Sequence, residues 1–438
     1  MNYQESLRYL DELSTFGTKL GLDRIKKLVS YLDNPQLRYK TIHVTGTNGK
    51  GSVCSMLSSI LSVSNVKTGL YISPHLVSYT ERIQIDGRPI SEKDFADCIS
   101  AVKTFVDKMI EDGEECPTQF EVITAAAFLY FAINKVEYAV IEVGLGGLLD
   151  STNVVKPEVC VITNVTFEHA NFCGGTLEGI AHHKAGIIKD GIPVVTAAKD
   201  KTLDIILEEA EVKNADTFVA NNDFYAFFMS FDGTYQHMKF ISEIMGISFD
   251  YKLKILGDHQ IENSSLAIMT ASILSNNDER ITRQNIIDGL VNAKWPARFE
   301  VFKFEGQTCV IDGAHNPAGM SILRHNLDKY FPEERRVILL GILKDKDIDA
   351  MLEHLLRDGD EIVITTPDSE RKASPEYIAE KIKQHNLTNH IETFDDMNTA
   401  LEAGIKLAEK EKLLCLTGSL YLTGELRNII VKRINNLS

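Results

Sequence analysis

A glycine-rich turn that carries a lysine is the strongest chemical signal in this sequence. Residues 44–52 have the sequence VTGTNGKGS, in which a β-rich run leads into Gly46, Gly49 and Lys50 and then into a helical pattern. Glycines let backbone N–H groups approach phosphate oxygens, and the N-terminus of the following helix favours negative charge. The turn therefore predicts a site for nucleotide phosphates, with Lys50 at the β- and γ-phosphates. The spacing is shorter than in the strict P-loop, so an ordinary turn with a surface lysine is the alternative.

A carboxylate followed by three glycines is the second signal. Residues 140–153 have the sequence VIEVGLGGLLDSTN, and Glu142 ends an apolar run that precedes Gly144, Gly146 and Gly147. Ligands of α/β sheets bind at the carboxyl ends of the strands. A carboxylate there, beside a phosphate site, is suited to Mg²⁺, which prefers oxygen ligands. Taken alone, the pattern also fits a turn after a core strand.

A third segment, 163–191, combines possible metal ligands with a lysine in apolar surroundings. Its candidate ligands are His169, Cys173, His182 and His183. Their spacing does not match a structural zinc site, so zinc is not favoured. Lys184 precedes the apolar sequence AGII, where a bare ammonium would be costly. It pairs with an anion, is modified, or extends its head group to water.

The C-terminal half places an acid, an imidazole and a guanidinium close to a predicted domain joint. Asp312 and His315 lie in IDGAHNPAG, residues 311–319, where a strand ends and a helix begins. Arg298 lies in WPARFE, residues 295–300. These side chains together indicate contacts to a nucleotide, whereas a lone Asp-Gly turn would be unremarkable in a loop.

Short β-rich runs alternate with longer helical runs along the chain. Strands are predicted at 41–45, 66–72, 138–143, 159–163 and 192–196, and later at 308–311, 337–340, 361–365 and 413–416. Helices are predicted at 50–63, 91–110, 119–134, 374–384 and 397–410, and an aromatic hairpin at 224–240. Strands separated by helices form βαβ units with mostly parallel sheets, so the predicted fold class is α/β.

Length and a renewed α/β series predict two domains. A chain of 438 residues exceeds one core of ordinary size. The second series starts near residue 300, and the joint is predicted at 294–298, next to the single tryptophan. The predicted domains are 1–295 and 296–438.

Composition argues against several classes of function. The formal charge of −16 disfavours general binding to nucleic acids or anionic membranes. No apolar run reaches the roughly 18 residues that span a bilayer, and the N-terminus has no secretion signal. Seven scattered cysteines without a CxxC pair favour reduced thiols, hence a cytoplasmic location.

The order of the motifs resembles the folylpolyglutamate synthase and dihydrofolate synthase family, which is related to the Mur ligases. The shared segments are the phosphate turn, EVGLGG with a following aspartate, HQIEN, WPARFE, DGAHNPAG and LTGSLYLTGE. The resemblance implies an N-terminal P-loop ATPase domain, similar to the central domain of Mur ligases, and a smaller Rossmann-like C-terminal domain with the active site in the cleft between them. It also implies ATP and Mg²⁺ as cofactors, folate or dihydropteroate and L-glutamate as substrates, and a monomer.

The resemblance assigns site residues by position. Those for ATP are Gly46, Thr47, Asn48, Gly49, Lys50, Gly51, Ser52, Asn263, Arg298 and Asp312. Those for Mg²⁺ are Ser73, Glu142, His169 and, as a carbamate, Lys184. Those near the pterin are Leu20, Gly21, Leu22, Asp23, Thr118, Gln119, Phe120, Glu121, Leu149, Asp150 and Ser151. Three residues depart from the family pattern around the second metal and the nucleotide: Glu168, His183 and Ala297.

The implied reaction is ATP-driven amide formation. A substrate carboxylate attacks the γ-phosphorus to give an acyl phosphate and ADP, and the amine of L-glutamate then displaces phosphate. The residues expected to act in catalysis are Lys50, Lys184 and His315, the last in removing a proton from the amine. Glutamate addition to tetrahydrofolate is the leading hypothesis. Addition to dihydropteroate, a Mur-type ligase for another carboxylate, and a non-catalytic nucleotide-binding protein are the alternatives.

Overall fold

The structure, a computed structural model, describes residues 1–15, 17, 19–167, 172–304, 306–332, 335–385, 390–408 and 412–437. Its contacts divide the chain into two compact units. Unit 1 contains Met1–Asp232, Gln236–Lys254 and His259–Lys294. Unit 2 contains the short segments Gly233–Tyr235 and Ile255–Asp258 together with the chain from Trp295 onward. That unit 1 is the ATP-binding domain and unit 2 the ligase domain stays a prediction.

Unit 1 is built from strands and helices that alternate along most of its length. The strands are β1 (Lys40–Thr45), β2 (Thr68–Tyr71), β3 (Ile83–Ile85), β4 (Arg88–Pro89), β5 (Tyr138–Glu142), β6 (Pro157–Ile162), β7 (Val194–Thr196), β8 (Thr217–Val219), β9 (Tyr225–Phe231), β10 (Gln236–Ser242) and β11 (Ile247–Leu253). The helices are α1 (Tyr3–Ser14), α2 (Asp23–Tyr31), α3 (Lys50–Val63), α4 (Glu92–Glu111), α5 (Gln119–Ile133), α6 (Leu177–Ala185), α7 (Asp200–Val212), α8 (His259–Ser275) and α9 (Arg283–Asn292).

The large sheet of unit 1 brings the ends of distant strands to one edge. Its order is β4-β3-β2-β5-β1-β6-β7-β8, and β1 pairs in parallel with both β5 and β6. The register places Val44 opposite both Glu142 and Val161. Parallel strands that are covered on both faces are apolar throughout, and β1 and β5 are buried along nearly their whole length. The turns that follow β1, β2, β5 and β6 therefore lie side by side.

A separate three-stranded antiparallel sheet, ordered β11-β10-β9, completes the strands of unit 1. The hairpin predicted at 224–240 is present as β9 and β10. The sequence analysis did not predict β11, which pairs along the whole of β10. Side chains of β10 alternate between buried and half-buried positions, as expected for a sheet with one covered face.

Unit 2 contains a second, mostly parallel sheet. Its strands are β12 (Glu300–Phe304), β13 (Gln307–Ile311), β14 (Arg335–Leu340), β15 (Glu361–Ile364), β16 (His390–Thr393) and β17 (Lys412–Thr417), in the order β12-β13-β17-β14-β15-β16. Its helices are α10 (Pro317–Tyr330), α11 (Ile348–Leu355), α12 (Pro375–Gln384), α13 (Met397–Ala408) and α14 (Leu420–Leu437). The α/β fold class is confirmed. Within the described ranges, no helix has both the length and the apolar content needed to cross a bilayer.

Helix α3, which follows the glycine-rich turn, is held in place by close packing. Ser59 Oγ donates a hydrogen bond to the carbonyl oxygen of Gly289 in α9 at 2.7 Å. A Cβ on Gly289 would lie 2.4 Å from the Cα of Ile60, which is a backbone atom of α3. The glycine therefore allows α9 to approach α3 closely and to fix its direction.

We expect Gly289→Ala to lower the free energy of unfolding by about 1–3 kcal/mol, because the added methyl must push α3 and α9 apart. Urea denaturation measures the change. Gly404→Ala in α13 is the matched control, since its Cβ would meet side-chain atoms alone, at 3.2 Å and beyond. Equal changes for the two variants would contradict the close-packing argument.

Candidate active site

The glycines of the turn after β1 are required by the backbone and by their neighbours. Gly46 has φ +147° and Gly49 has φ +84°, in the region that side chains rarely adopt. A Cβ on Gly46 would lie 1.8 Å from Thr163 Oγ1, and one on Gly49 would lie 2.2 Å from Asn263 Oδ1. The turn is therefore pressed against the end of β6 on one side and against α8 on the other.

Residues after β6 hold the turn from below. The Thr47 N–H donates to the Asn164 carbonyl at 2.8 Å, and the Asn48 N–H donates to Asn164 Oδ1 at 2.9 Å. Thr163 Oγ1 donates to the Asn48 carbonyl at 2.6 Å. The amides of Thr47 and Asn48 are thus occupied within the protein. The N–H groups at the start of α3 have no intrahelical acceptor, and no side chain caps them, so they are the donors that can face a phosphate.

Lys50 folds back over the turn. Its Nζ donates to the carbonyls of Gly46 and Thr47, each at 3.1 Å. The ammonium is thus held at the glycine-rich turn, at the N-terminal end of α3. The helix start and the ammonium together form a compact positive site.

A side chain that the sequence analysis did not select supports this arrangement. Gln260 Nε2 donates to Ser52 Oγ at 3.2 Å, and Gln260 Oε1 accepts from Asn263 Nδ2 at 3.0 Å. Both Gln260 and Asn263 are buried. Asn263 therefore packs beneath Gly49 and braces the turn. The motif HQIEN contained the signal for Gln260, but its contact with a residue 208 positions earlier is a matter of tertiary structure.

The carboxylate predicted for Mg²⁺ lies at the same edge of the sheet. Glu142 ends β5, its side chain is 4% exposed, and Oε2 accepts from the Ser73 N–H at 3.0 Å. Thr45 Oγ1 donates to the Gly146 carbonyl at 2.7 Å, which ties the loop after Glu142 to the end of β1. His169, the third predicted ligand, lies outside the described residues.

The donor set fits Mg²⁺ better than a softer metal. Glu142 and Ser73 offer oxygen atoms, and Mg²⁺ is commonly held by one or two carboxylates together with substrate phosphates. In the part of the chain that the structure describes, no cluster of three or more His, Cys, Asp or Glu side chains could hold a metal ion unaided. The zinc alternative also included His169, which lies outside the described residues, so that alternative is not tested.

Lys184 lies beside the loop that follows Glu142. It belongs to α6 and is 5% exposed. The Leu148 N–H donates to the His183 carbonyl at 2.7 Å, and a Cβ on Gly147 would lie 3.4 Å from the Lys184 Cα. Burial lowers the pKa of His183, and the neighbouring charges of His182 and Lys184 act in the same direction. The structure thus brings Lys184 next to the loop that follows Glu142.

Two of the three predicted pterin segments meet directly, and the third joins them through Gly144. The Gly21 N–H donates to the Leu149 carbonyl at 3.3 Å. Phe120 packs over Gly144, where a Cβ would lie 2.4 Å from the phenylalanine Cζ and 3.2 Å from Asp150 Oδ2. The side chain of Leu149 is exposed and offers an apolar surface beside these contacts.

Several predicted pterin residues serve the protein itself. Glu121 is buried and accepts from the Thr118 N–H at 2.7 Å and from Arg24 Nε at 3.0 Å. Asp150 is buried, and burial raises the pKa of its carboxyl while the surrounding hydrogen bonds oppose that shift. Gln119 Nε2 donates to the Leu10 carbonyl at 3.0 Å. Of the other predicted pterin residues, Leu20 and Leu22 are half-buried and Ser151 is buried. Asp23 is exposed at the start of α2.

In unit 2 the structure brings Arg298, Asp312 and His315 into one region. Asp312 accepts from the N–H groups of Phe299 and Ala314, both at 2.8 Å. Burial raises the pKa of Asp312, and the charge of Arg298 opposes this shift. His315 Nδ1 lies 2.8 Å from the Gly313 carbonyl, so Nδ1 carries the proton that it donates. In the neutral ring Nε2 is then the basic nitrogen.

Comparison with known proteins matches nearly the whole chain. Residues 44–271 match the Mur ligase middle domain, and residues 297–420 match the Mur ligase glutamate ligase domain. A Bacillus subtilis protein named dihydrofolate synthase/folylpolyglutamate synthase is 34% identical, over 97% of this chain and 98% of its own length. The chain belongs to the folylpolyglutamate synthase and dihydrofolate synthase family. It is an ATP-dependent ligase.

Solved structures of this family agree with the fold. A folylpolyglutamate synthase from Thermotoga maritima is 36% identical, with a TM-score of 0.87, and covers 98% of this chain and 96% of its own. The Mycobacterium tuberculosis folylpolyglutamate synthase, solved with ADP and AMPPCP, is 30% identical with a TM-score of 0.81, over 98% and 99% of the two chains. The resemblance drawn from the motifs is therefore confirmed, and ATP binding is a property of the family.

One departure from the family motif has a visible backbone consequence. Ala297 stands where the family usually has glycine, and its φ is +53°. This left-handed conformation is rare for residues with a side chain, which explains why glycine is common there. The Ala297 carbonyl accepts from the Gly313 N–H at 2.8 Å and so ties the WPARFE segment to the Asp312 loop.

Proposed function

We propose that this chain joins L-glutamate to the carboxylate of a tetrahydrofolate, with conversion of ATP to ADP and phosphate. The observation that carries the proposal is the juxtaposition of the glycine turn, the Lys50 ammonium and the Glu142 carboxylate at neighbouring strand ends of unit 1. Full-length matches to folylpolyglutamate synthases support the choice of substrates.

The nucleotide phosphates bind at the start of α3. The amides of residues 50–52 and the Lys50 ammonium stabilise the negative charge of the β- and γ-phosphates. Glu142 and Ser73, with His169 by resemblance, hold Mg²⁺, which neutralises phosphate charge when bound. Asn263 acts by bracing the turn, and Arg298 and Asp312 are proposed nucleotide contacts, as the family resemblance implies.

The reaction proceeds in two balanced steps. A carboxylate oxygen of the folate forms a bond to the γ-phosphorus while the bond to the β–γ bridging oxygen breaks, which gives an acyl phosphate and ADP. The glutamate amine then attacks the acyl carbon, and phosphate leaves from the tetrahedral intermediate. The attacking amine must lose a proton, and we assign its acceptance to His315 Nε2, the basic nitrogen left by the Nδ1 contact with Gly313.

Lys184 is proposed to be carbamylated. Its burial beside the loop that follows Glu142 would place a cation near a divalent metal, which like charges disfavour. Condensation of the neutral amine with CO₂ releases one proton and replaces the cation by an anionic group with two oxygens. These oxygens are suited to a second Mg²⁺.

We expect Lys184→Ala to lose most activity and short carboxylic acids to restore part of it, because a small carboxylate can occupy the vacated space. The measurement is ATP turnover with and without acetate, together with the intact mass of the wild-type protein in bicarbonate. Lys201→Ala, at an exposed lysine of α7, is the control and is not expected to respond to acetate. Full wild-type activity in CO₂-free buffer would contradict the modification.

Addition of the first glutamate to dihydropteroate is the second candidate, because the Bacillus subtilis relative bears both names. Phosphate release should be measured with L-glutamate and either tetrahydrofolate or dihydropteroate. Release that requires both glutamate and tetrahydrofolate supports the main proposal. Glutamate-dependent release with dihydropteroate but not with tetrahydrofolate supports the second candidate. Glutamate-dependent release with either pterin supports a bifunctional enzyme. No dependence on either pterin would contradict both.

We further propose that the protein acts as a cytoplasmic monomer on small molecules and does not bind nucleic acids or membranes. The acidic charge of −16 supports the last two points. Light scattering at working concentration tests the monomer.

A further inference from the structure

A buried chain of hydrogen bonds connects strand β1 to the loop that follows Glu142. It begins at His43 of β1, which is fully buried and whose Nε2 lies 2.8 Å from Thr152 Oγ1. Thr152 Oγ1 donates to Asp150 Oδ1 at 2.5 Å. Asp150 Oδ2 accepts from the Leu145 N–H at 2.8 Å. These hydrogen bonds therefore link β1, the strand that leads into the glycine-rich turn, to the loop that follows Glu142.

The protons in this chain are ordered by its chemistry. Among the described residues, every hydrogen-bond partner of the Asp150 carboxylate is a donor: the N–H groups of Gly144, Leu145 and Thr152 and the Thr152 hydroxyl. Asp150 is therefore an acceptor, and the Thr152 proton points to it. The Thr152 oxygen then accepts from His43, which must carry its proton on Nε2. Burial lowers the pKa of His43 to about 3, so the ring is neutral.

The turn at 150–153 also contacts the end of α6, the helix that carries Lys184. Asn153 Nδ2 donates to the Leu148 carbonyl at 2.9 Å and to the Gly186 carbonyl at 3.1 Å. Gly186 directly follows α6, the helix that carries Lys184. One short turn thus contacts the loop after Glu142 through both Asp150 and Asn153, and the residue that follows the Lys184 helix through Asn153.

An imidazole at position 43 is a costly choice for packing alone. Its neighbours on β1, Ile42 and Val44, are apolar and equally buried. His43 Nδ1 is buried, and none of the described residues provides it with a hydrogen bond. An apolar side chain would avoid this desolvation cost. The Nε2 donor to Thr152 is what the histidine supplies in return.

We propose that His43 is a positioning residue that locks the 150–153 turn and thereby sets the loop after Glu142 relative to the ATP turn. The inference rests on the proposed function, because its kinetic effects concern the folate and the metal. His43 is fully buried on β1. It acts through Thr152 and Asp150, in the way that groups behind metal ligands orient them.

Three variants isolate the donor. His43→Leu removes it and keeps an apolar side chain of comparable size, whereas His43→Gln keeps an N–H at a similar reach. Thr41→Val is the matched control, because Thr41 is fully buried on the same strand and no described residue hydrogen-bonds its hydroxyl. Thermal unfolding shows whether each variant is folded under the assay conditions.

We expect His43→Leu to raise both the folate KM and the Mg²⁺ concentration for half-maximal rate by about tenfold, with little change in the glutamate KM. His43→Gln should recover most of this loss, and Thr41→Val should match the wild type. A purely structural role would lower kcat through a smaller folded fraction and leave both constants in place. Unchanged constants in a folded, active His43→Leu variant, or equal losses in the Leu and Gln variants, would overturn the proposal.

Amide hydrogen exchange provides a readout that does not depend on activity. Peptides covering 143–153 should exchange faster in His43→Leu than in the wild type, and His43→Gln and Thr41→Val should not differ from the wild type. Unchanged exchange in His43→Leu would overturn the proposal. Failure of the wild-type enzyme to turn over ATP with any folate would instead contradict the proposed function and leave the exchange test intact.

Discussion

Replacement of Lys50 by alanine should reduce ATP turnover by about three orders of magnitude and leave the fold intact. The ammonium is held at the glycine-rich turn by the Gly46 and Thr47 carbonyls. Charge stabilisation of the transferred phosphoryl group is lost with it, and removal of one such group costs about 100- to 1,000-fold. Lys50 is half-buried at the first position of α3 rather than in a core, so little stability should be lost.

Steady-state phosphate release and thermal unfolding together test this expectation. Lys93→Ala is a suitable control, because that lysine is exposed on α4 and makes an i,i+4 ion pair with Asp97. Lys50→Arg should not restore full activity, since a planar guanidinium cannot replace a compact ammonium in a narrow turn. Turnover within tenfold of the wild type in a folded Lys50→Ala variant would rule out the phosphate assignment.

Replacement of Glu142 by glutamine should raise the Mg²⁺ requirement at least about tenfold and lower the maximal rate. The amide keeps an oxygen that can accept from the Ser73 N–H, so the local hydrogen bond is preserved while the charge is removed. By resemblance, His169→Ala should act in the same direction.

The measurement is the rate of ATP turnover over a range of Mg²⁺ concentrations at fixed ATP. Glu158→Gln on β6, which is separated from β5 by β1 in the same sheet, is the control, since that carboxylate lies in the first half of its strand, away from the turn that follows it. If Glu142→Gln and Glu158→Gln show the same dependence on Mg²⁺ concentration, the Glu142 carboxylate does not bind the metal.

The local elements could be predicted well from the sequence because their signals are short-range. Helix α3 begins at Lys50 and ends at Val63, as predicted, because a left-handed glycine precedes it and Asn65, with φ +57°, follows it. Strand β7 begins at Val194 rather than at 192, since Pro193 cannot donate to a ladder. The third strand of the antiparallel sheet, β11, was not predicted, although its apolar residues alternate with polar ones, a pattern typical of a half-buried strand.

The chemistry of individual carboxylates was less predictable. Glu142, Glu121 and Asp150 each follow or begin an apolar run, and their sequence surroundings are alike. The structure separates them by their partners. Glu121 is held by Arg24 from a distant helix, Asp150 by amides and a threonine, and Glu142 by the Ser73 amide at the edge of the sheet. Sequence resemblance grouped two of them with the pterin, although both are buried within the protein.

The sequence by itself determined the α/β class, the glycine-rich turn with Lys50, and membership of the ligase family, because neighbouring residues carry the strand, turn and helix signals and the order of the motifs. The tertiary structure alone decided which groups support them. Gln260 reaches Ser52, and His43 reaches Thr152, only because parallel pairing of β1 with β5 and β6 and the packing of α8 bring together residues more than a hundred positions apart. Such contacts depend on side-chain burial and strand order, which no local pattern encodes.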